Sequence, residues 1–144
     1  MDRTAAGGCR WHAAADQSVL REMAKTTILA SAARAIHERG QLHIVLAGGN
    51  TPRAIYRERR TAETDWSSWH LYFGDERCLP PGDSSRNSHM AEEAWLAHVP
   101  IPRLQLHVIP AELGAIRAAQ GYSETLRTVG DFDLVLLGLG EDGH

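Results

Sequence analysis

Lysine is almost missing from this 144-residue chain: Lys25 stands against 14 arginines. Basic residues total 15 and acidic residues 18, giving a formal net charge of −3. No basic block stands out, so nucleic acid is not expected as a partner. Cysteine is scarce too. Cys9 and Cys78 lie far apart and outside any C-x-x-C spacing, which reads as two reduced thiols in a cytoplasmic protein. No apolar run approaches the ~18 residues of a membrane span, and the first residues lack the apolar stretch of a secretory signal. Repeats and low-complexity segments are absent. A composition of 43% hydrophobic and 23% charged residues excludes collagen, disordered tails and coiled coils. The length fits a single domain over residues 1–144.

What is present is an alternation of short apolar runs and helical periods. Residues 1–10 read as a loose start, with a short edge strand from Cys9 to Ala14. Asp16 fits the N-cap of a helix from Gln17 to Arg39, striped by Leu20, Ala24, Ile28, Ala32, Ala35 and Ile36 and closed by Gly40. A strand runs from Leu42 to Ala47. Thr51 as N-cap and Pro52 at the first helical position open a second helix to about Arg60. Trp69–Gly74 is a strand, and 75–86 a loop rich in turn formers. Asn87–His98 is a helix with Met90, Ala91, Ala94 and Trp95 on its apolar stripe. Leu104–Ile109 is a further strand and Glu112–Val129 a further helix. Phe132–Leu137 is the most apolar strand of all. This order predicts an α/β fold with a mostly parallel sheet and helices on both faces.

Such folds bind ligands at the carboxyl ends of their strands. Three of those ends are loaded with glycine and polar residues. In Gly48-Gly49-Asn50-Thr51-Pro52, two glycines allow positive φ and close backbone approach, and a helix start offers free N–H groups to a phosphate. In Gly74-Asp75-Glu76-Arg77, carboxylates and a guanidinium suit a polyhydroxy or phosphorylated ligand. Gly138-Leu139-Gly140-Glu141-Asp142-Gly143 matches G-x-G-x-x-G literally. It lacks the following helix and the acidic residue ~20 positions on that a dinucleotide site needs. His144 follows that turn, and an imidazole, with a reference pKa of ~6.5, suits general-base work near neutrality. The eight histidines (His12, His37, His43, His70, His89, His98, His107, His144) show no close ligand spacing, so no metal site is expected. His43, His70 and His107 fall inside strands and read as packed or edge residues. Trp11, Trp66, Trp69 and Trp95 read as core or half-buried.

The segments LAGGNTPRAIYRE, WHLYFGDERCLPPGDSSRNSHMAEEAWL and FDLVLLGLGEDGH together resemble successive signatures of the 6-phosphogluconolactonase family, in the superfamily shared with glucosamine-6-phosphate deaminase. The resemblance implies a Rossmann-like lactonase/isomerase fold. It implies a cytoplasmic, metal-independent, cofactor-free esterase of the pentose phosphate pathway. The partner would be a small molecule, 6-phospho-D-glucono-1,5-lactone, and the product 6-phosphogluconate. Carried over by motif, Gly48, Gly49, Asn50 and Thr51 would lie against the substrate, with Asp75 and Arg77 in the same pocket and Asn87 in support. His144 would activate water and then protonate the departing ring oxygen, oriented by Asp142. D-E-R rather than D-E-Y sets the chain apart from the deaminase reading. A non-catalytic sugar-phosphate-binding remnant is the other alternative. Family members continue past D-G-H, whereas this sequence stops at His144. It is therefore expected to be incomplete at the C-terminus, poorly active alone, and prone to associate through unpaired strand edges.

Overall fold

The computed structural model describes residues 3–5 and 8–144. Of the expected loose start, Met1, Asp2, Ala6 and Gly7 lie outside the described residues. Arg3–Ala5 (β1) pairs antiparallel with Cys9–Trp11 (β2), so the edge strand is shorter than the Cys9–Ala14 expected. Helix α1 spans Gln17–Arg39, with the Asp16 side chain accepting from the Val19 N–H and Gly40 closing it at φ 78°. Both caps fall where their residue types predict.

Four strands form the main sheet: Leu42–Leu46 (β3), Trp69–Phe73 (β4), Leu106–His107 (β5) and Leu134–Val135 (β6). Their spatial order is β5-β4-β3-β6, and all three pairings are parallel. The centre is long and the flanks are short. β3 and β4 pair over five residues, from Leu42 opposite Trp69 to Leu46 opposite Phe73. β5 and β6 pair over two residues each, against the six residues expected for each run. Before β5 a 3-10 turn at Arg103–Gln105 occupies the chain, and Pro110 beyond it has no N–H for a ladder.

Three helices cover one face of the sheet: α1, Asn50–Arg57 (α2) and Asn87–Ala94 (α3). The α2 helix begins two residues earlier than expected. Gly49, at φ 103°, is its cap, and Thr51 is already inside it. A 3-10 turn, Glu58–Thr61, carries it on to the expected end. The α3 segment breaks at Trp95 before a 3-10 turn at Leu96–His98. Ile28, Ala32 and Ala35 of α1, Tyr56 of α2, and Met90, Ala91 and Ala94 of α3 bury against Leu42, Ile44, Leu46, Leu71 and Phe73. Trp66, Trp69 and Trp95 close the far end of this core, their ring centroids 4.9–5.8 Å apart. Trp11 is exposed. Ala115–Arg127 (α4) covers the other face through Tyr122, against Val45 and Tyr72. It starts after a 3-10 turn and Gly114, three residues later than predicted. No described helix is long and apolar enough to cross a membrane.

Arg59 is fully buried, at 0% exposure. Among the described residues it has two long bonds, Nε to the Ile55 carbonyl and Nη1 to the Lys25 carbonyl, each 3.4 Å, and Nη2 has no partner there. Burial pushes its pKa down against the pull of Glu58 and Glu22. A buried charge without a carboxylate in contact gains little to offset desolvation. Arg59→Met, apolar and of similar length, should therefore keep or raise stability, by about 1 kcal/mol or more. Urea unfolding measures this, and a loss of that size would contradict it.

The second face carries three imidazoles in a row. His43 stacks on His70 at 4.8 Å and His70 on His107 at 5.8 Å. Tyr72 stacks on His107 at 4.4 Å and its hydroxyl lies 3.2 Å from His43 Nδ1. No described group of three or more His, Cys, Asp or Glu could hold a metal here or elsewhere. Burial lowers all three pKa values. Asp133 opposes this at His43 and Arg39 adds to it there, while His43 and His107 add to it at His70. Lowered folded values mean the unfolded chain takes up protons first. The stability they contribute is complete above ~6.5 and is lost as pH falls below it. Tm should thus decline between about pH 7 and pH 5, and His70→Gln should make that decline shallower in a pH series of thermal melts.

Candidate functional site

Because the strands are parallel, their carboxyl ends share one edge. β4, β3 and β6 are consecutive across the sheet, and neighbouring strands lie ~4.8 Å apart. The segments AGGNTP, GDER and GLGEDGH therefore leave the sheet side by side. The chain builds from β3 outward to β4 and β5, then returns to the other side of β3 as β6. The covering helices change face at the same step, from α3 to α4. Such a reversal opens a crevice at the strand ends, the usual ligand position of this architecture.

Asn87, the first residue of α3, ties two of the loops together. Its Nδ2 donates to the main-chain carbonyl and to Oδ1 of Asp75, both at 3.2 Å. Its Oδ1 sits where a side chain on Gly48 would be: a Cβ there would lie 2.1 Å from Asn87 Oδ1 and 2.7 Å from its Cγ. The two glycines thus do different things. Gly49 supplies the positive φ that turns β3 into α2, while Gly48 makes room for a neighbouring side chain of the protein itself. Asn50 and Thr51 are exposed in the first turn of α2. The ladder of that helix begins with the Arg53 N–H donating to the Gly49 carbonyl at 3.1 Å. The N–H groups of the first turn are left pointing out from the strand edge.

Two tyrosines that sequence reading passes over hold this edge from opposite faces. The hydroxyl of buried Tyr56, on α2, accepts from the Ala47 N–H at 3.0 Å and donates to the Ala47 carbonyl at 2.8 Å. The Tyr122 hydroxyl, on α4, accepts from the Phe73 N–H at 2.9 Å and donates to the His107 carbonyl at 2.8 Å. Burial raises both phenols, Tyr122 to about 12, so each stays protonated and can donate. In a helical pattern each tyrosine reads as one more apolar residue, and nothing local announces the strand end it reaches.

Asp75 and Arg77 are exposed on either side of Glu76, whose side chain is buried at 1% exposure. The third loop is exposed throughout, with a turn at Glu141–Asp142. Gly140 N–H donates to the His144 carbonyl at 2.7 Å, and the His144 N–H donates to Asp142 Oδ1 at 3.1 Å. Asp142 thus holds the main chain of His144 in the turn. The orientation of the imidazole expected of it is not among the bonds of the described residues. Along the apolar run that holds β6, Val135 and Leu137 are exposed, at 46% and 85%, while Leu134 and Leu136 pack on the core.

The family model described as glucosamine-6-phosphate isomerases/6-phosphogluconolactonase matches residues 15–144. A 6-phosphogluconolactonase of Synechocystis sp. is 37% identical over 138 residues, covering 90% of this chain and 58% of its own length. One from Mycobacterium tuberculosis is 36% identical over 143 residues, with the same coverage. The crystal structure of 6-phosphogluconolactonase from Thermotoga maritima superposes with a TM-score of 0.82 at 27% identity, over 86% of this chain and 57% of that one. The chain thus spans a little under three fifths of these relatives. With the family model matched over residues 15–144, this chain belongs to the glucosamine-6-phosphate isomerase/6-phosphogluconolactonase family.

Proposed function

We propose that this chain carries the strand-edge part of a 6-phosphogluconolactonase site, which hydrolyses 6-phospho-D-glucono-1,5-lactone to 6-phosphogluconate without a cofactor. One observation carries the reading: three polar, glycine-rich loops leave adjacent parallel strands at the switch point of the sheet, two of them joined through Asn87. The names of the relatives above support the choice of lactone.

The phosphate lies against the open N–H groups of Gly49, Asn50 and Thr51, where the start of α2 favours an anion. Arg77 pairs with the same anion and Asp75 accepts from sugar hydroxyls. Near the ring carbonyl, His144 takes a proton from water. The hydroxide forms a bond to the carbonyl carbon and its π pair moves to oxygen. Collapse of that tetrahedral oxyanion breaks the bond to the ring oxygen, which takes the proton from the imidazolium. One imidazole serves as base and then acid, and is regenerated. Asp142 holds the turn that presents it.

The test is acid release from the lactone set against ammonia release from glucosamine 6-phosphate. Acid release alone is expected, and ammonia release alone would move the chain to the isomerase branch. Release of neither, with sugar phosphate still bound, would leave a binding protein. In an active protein, Arg77→Ala should raise KM for the phosphorylated lactone roughly tenfold or more, the scale of a lost charge-assisted pair, and leave unphosphorylated gluconolactone nearly unaffected. Equal effects on both would place Arg77 on the ring or the loop.

A further inference from the structure

Glu76 is the one residue of the GDER segment turned inward, and its carboxylate is crowded with donors. Oε1 accepts from the Arg77 N–H at 2.9 Å and from the Asn87 N–H at 2.6 Å. Oε2 accepts from the Ser88 N–H at 2.9 Å and lies 3.5 Å from Arg86 Nε. Asn87 and Ser88 open α3, and that helix has no cap from its neighbouring residue. Glu76 caps it from eleven and twelve residues upstream. The same carboxylate thus closes both ends of the 75–86 loop. Burial works to raise its pKa, but the Ser88 side chain and the three N–H groups outweigh that and hold it below the ordinary range.

Arg86 is buried at 3% exposure and fastens the same loop to the far side of the sheet. Its Nη1 donates to the Leu79 carbonyl at 3.1 Å and to Glu112 Oε2 at 3.0 Å, and its Nη2 to the Ile109 carbonyl at 2.9 Å. A buried ion pair of this kind is a poor source of net stability, since desolvation cancels much of its attraction. What it does supply is a fixed geometry. Asp75 is the residue before Glu76, Arg77 the residue after it, and Asn87 the residue after Arg86.

We propose that Glu76, backed by Arg86, is the positioning residue of this site, closing the 75–86 loop so that Asp75, Arg77 and Asn87 stand ready for a phosphorylated sugar acid or its lactone. The ligand half of this rests on the lactonase reading, whereas the loop half does not. Glu76→Gln keeps the shape but turns a donor toward the Ser88 N–H and Arg86. In the full-length protein it should raise KM for the lactone and Kd for 6-phosphogluconate about tenfold, with kcat within about threefold, the mark of lost binding shared by ground and transition states. Amide exchange at Arg77, Asn87 and Ser88 should rise about a hundredfold, as expected for a segment that opens on its own. Glu76→Asp, with the charge kept but drawn back, should fall between, and it stands in if Glu76→Gln does not fold. Ile28→Val, in the core of α1, should lower Tm without either change.

Unaltered exchange at those three amides in the Glu76 variants would overturn the proposal. So would unaltered KM and Kd in a protein whose loop has opened, or the same rise in KM from Ile28→Val. If the unsubstituted protein neither binds nor hydrolyses these compounds, the lactonase reading and the ligand half fail together. The exchange measurement then decides the loop half alone.

Discussion

His144→Ala is expected to lower kcat for 6-phosphogluconolactone by ~10²–10⁴, the range for loss of a general acid–base group, with KM little changed. In the proposed mechanism one imidazole takes part in two successive proton transfers, so removing it should slow both the formation and the collapse of the tetrahedral intermediate. The loops that hold the substrate do not depend on it. The residue is exposed, and its two bonds are made by its main chain, so the substitution leaves the 140–144 turn and the fold intact. Steady-state kinetics on the lactone measure both parameters. A variant with undiminished kcat would remove His144 from the chemistry and leave the loop with a binding role.

Gly48→Ala should be the most damaging small substitution in the molecule. A methyl group there would stand 2.1 Å from Asn87 Oδ1 and 3.0 Å from its Nδ2. No shift of a few tenths of an ångström relieves such an overlap, so Asn87 must swing away and give up both bonds to Asp75. Overpacking of this kind costs about 1–3 kcal/mol. The loss of order at Asp75 should also raise KM. The diagnostic is the double substitution. In an Asn87→Ala background the space next to Gly48 is already vacant, so adding Gly48→Ala should cost almost nothing. A double-mutant cycle by urea unfolding should then give a coupling of roughly 1–3 kcal/mol. Additive losses would mean that Gly48 is required for its own backbone shape and not for the side chain beside it.

How far such contacts can be foreseen depends on how local their signals are. Asp16 and Gly40 are legible as caps because a cap is decided within four residues. The three strand-edge loops are legible because glycine and charge directly after an apolar run mark the point where a strand leaves the sheet for solvent. Asn87 stands out by its motif, but its bonds to Asp75 and its fit against Gly48 join segments 12 and 39 positions away, which no spacing reveals. Glu76 stands in the same four-letter segment as Asp75 and Arg77, and only the fold distinguishes the inward carboxylate from its exposed neighbours. Arg86 follows two serines in a turn-rich loop and reads as solvated, yet it is among the most buried polar residues. The run 132–137 is the most apolar in the sequence, yet only Leu134 and Val135 are paired in the sheet, because apolar content reports what a strand can tolerate on its faces and says little of how many of its residues pair.

The strand ends at the mouth of the crevice are fastened from two faces of the sheet. The glycine turn of β3 and the GDER segment of β4 spring from a five-residue seam at the middle of the sheet, and each of those strand ends is latched by a tyrosine hydroxyl. Strand ends bound in this way open only at high energetic cost, so the glycine turn and the GDER segment keep their places relative to one another whether or not the crevice is filled.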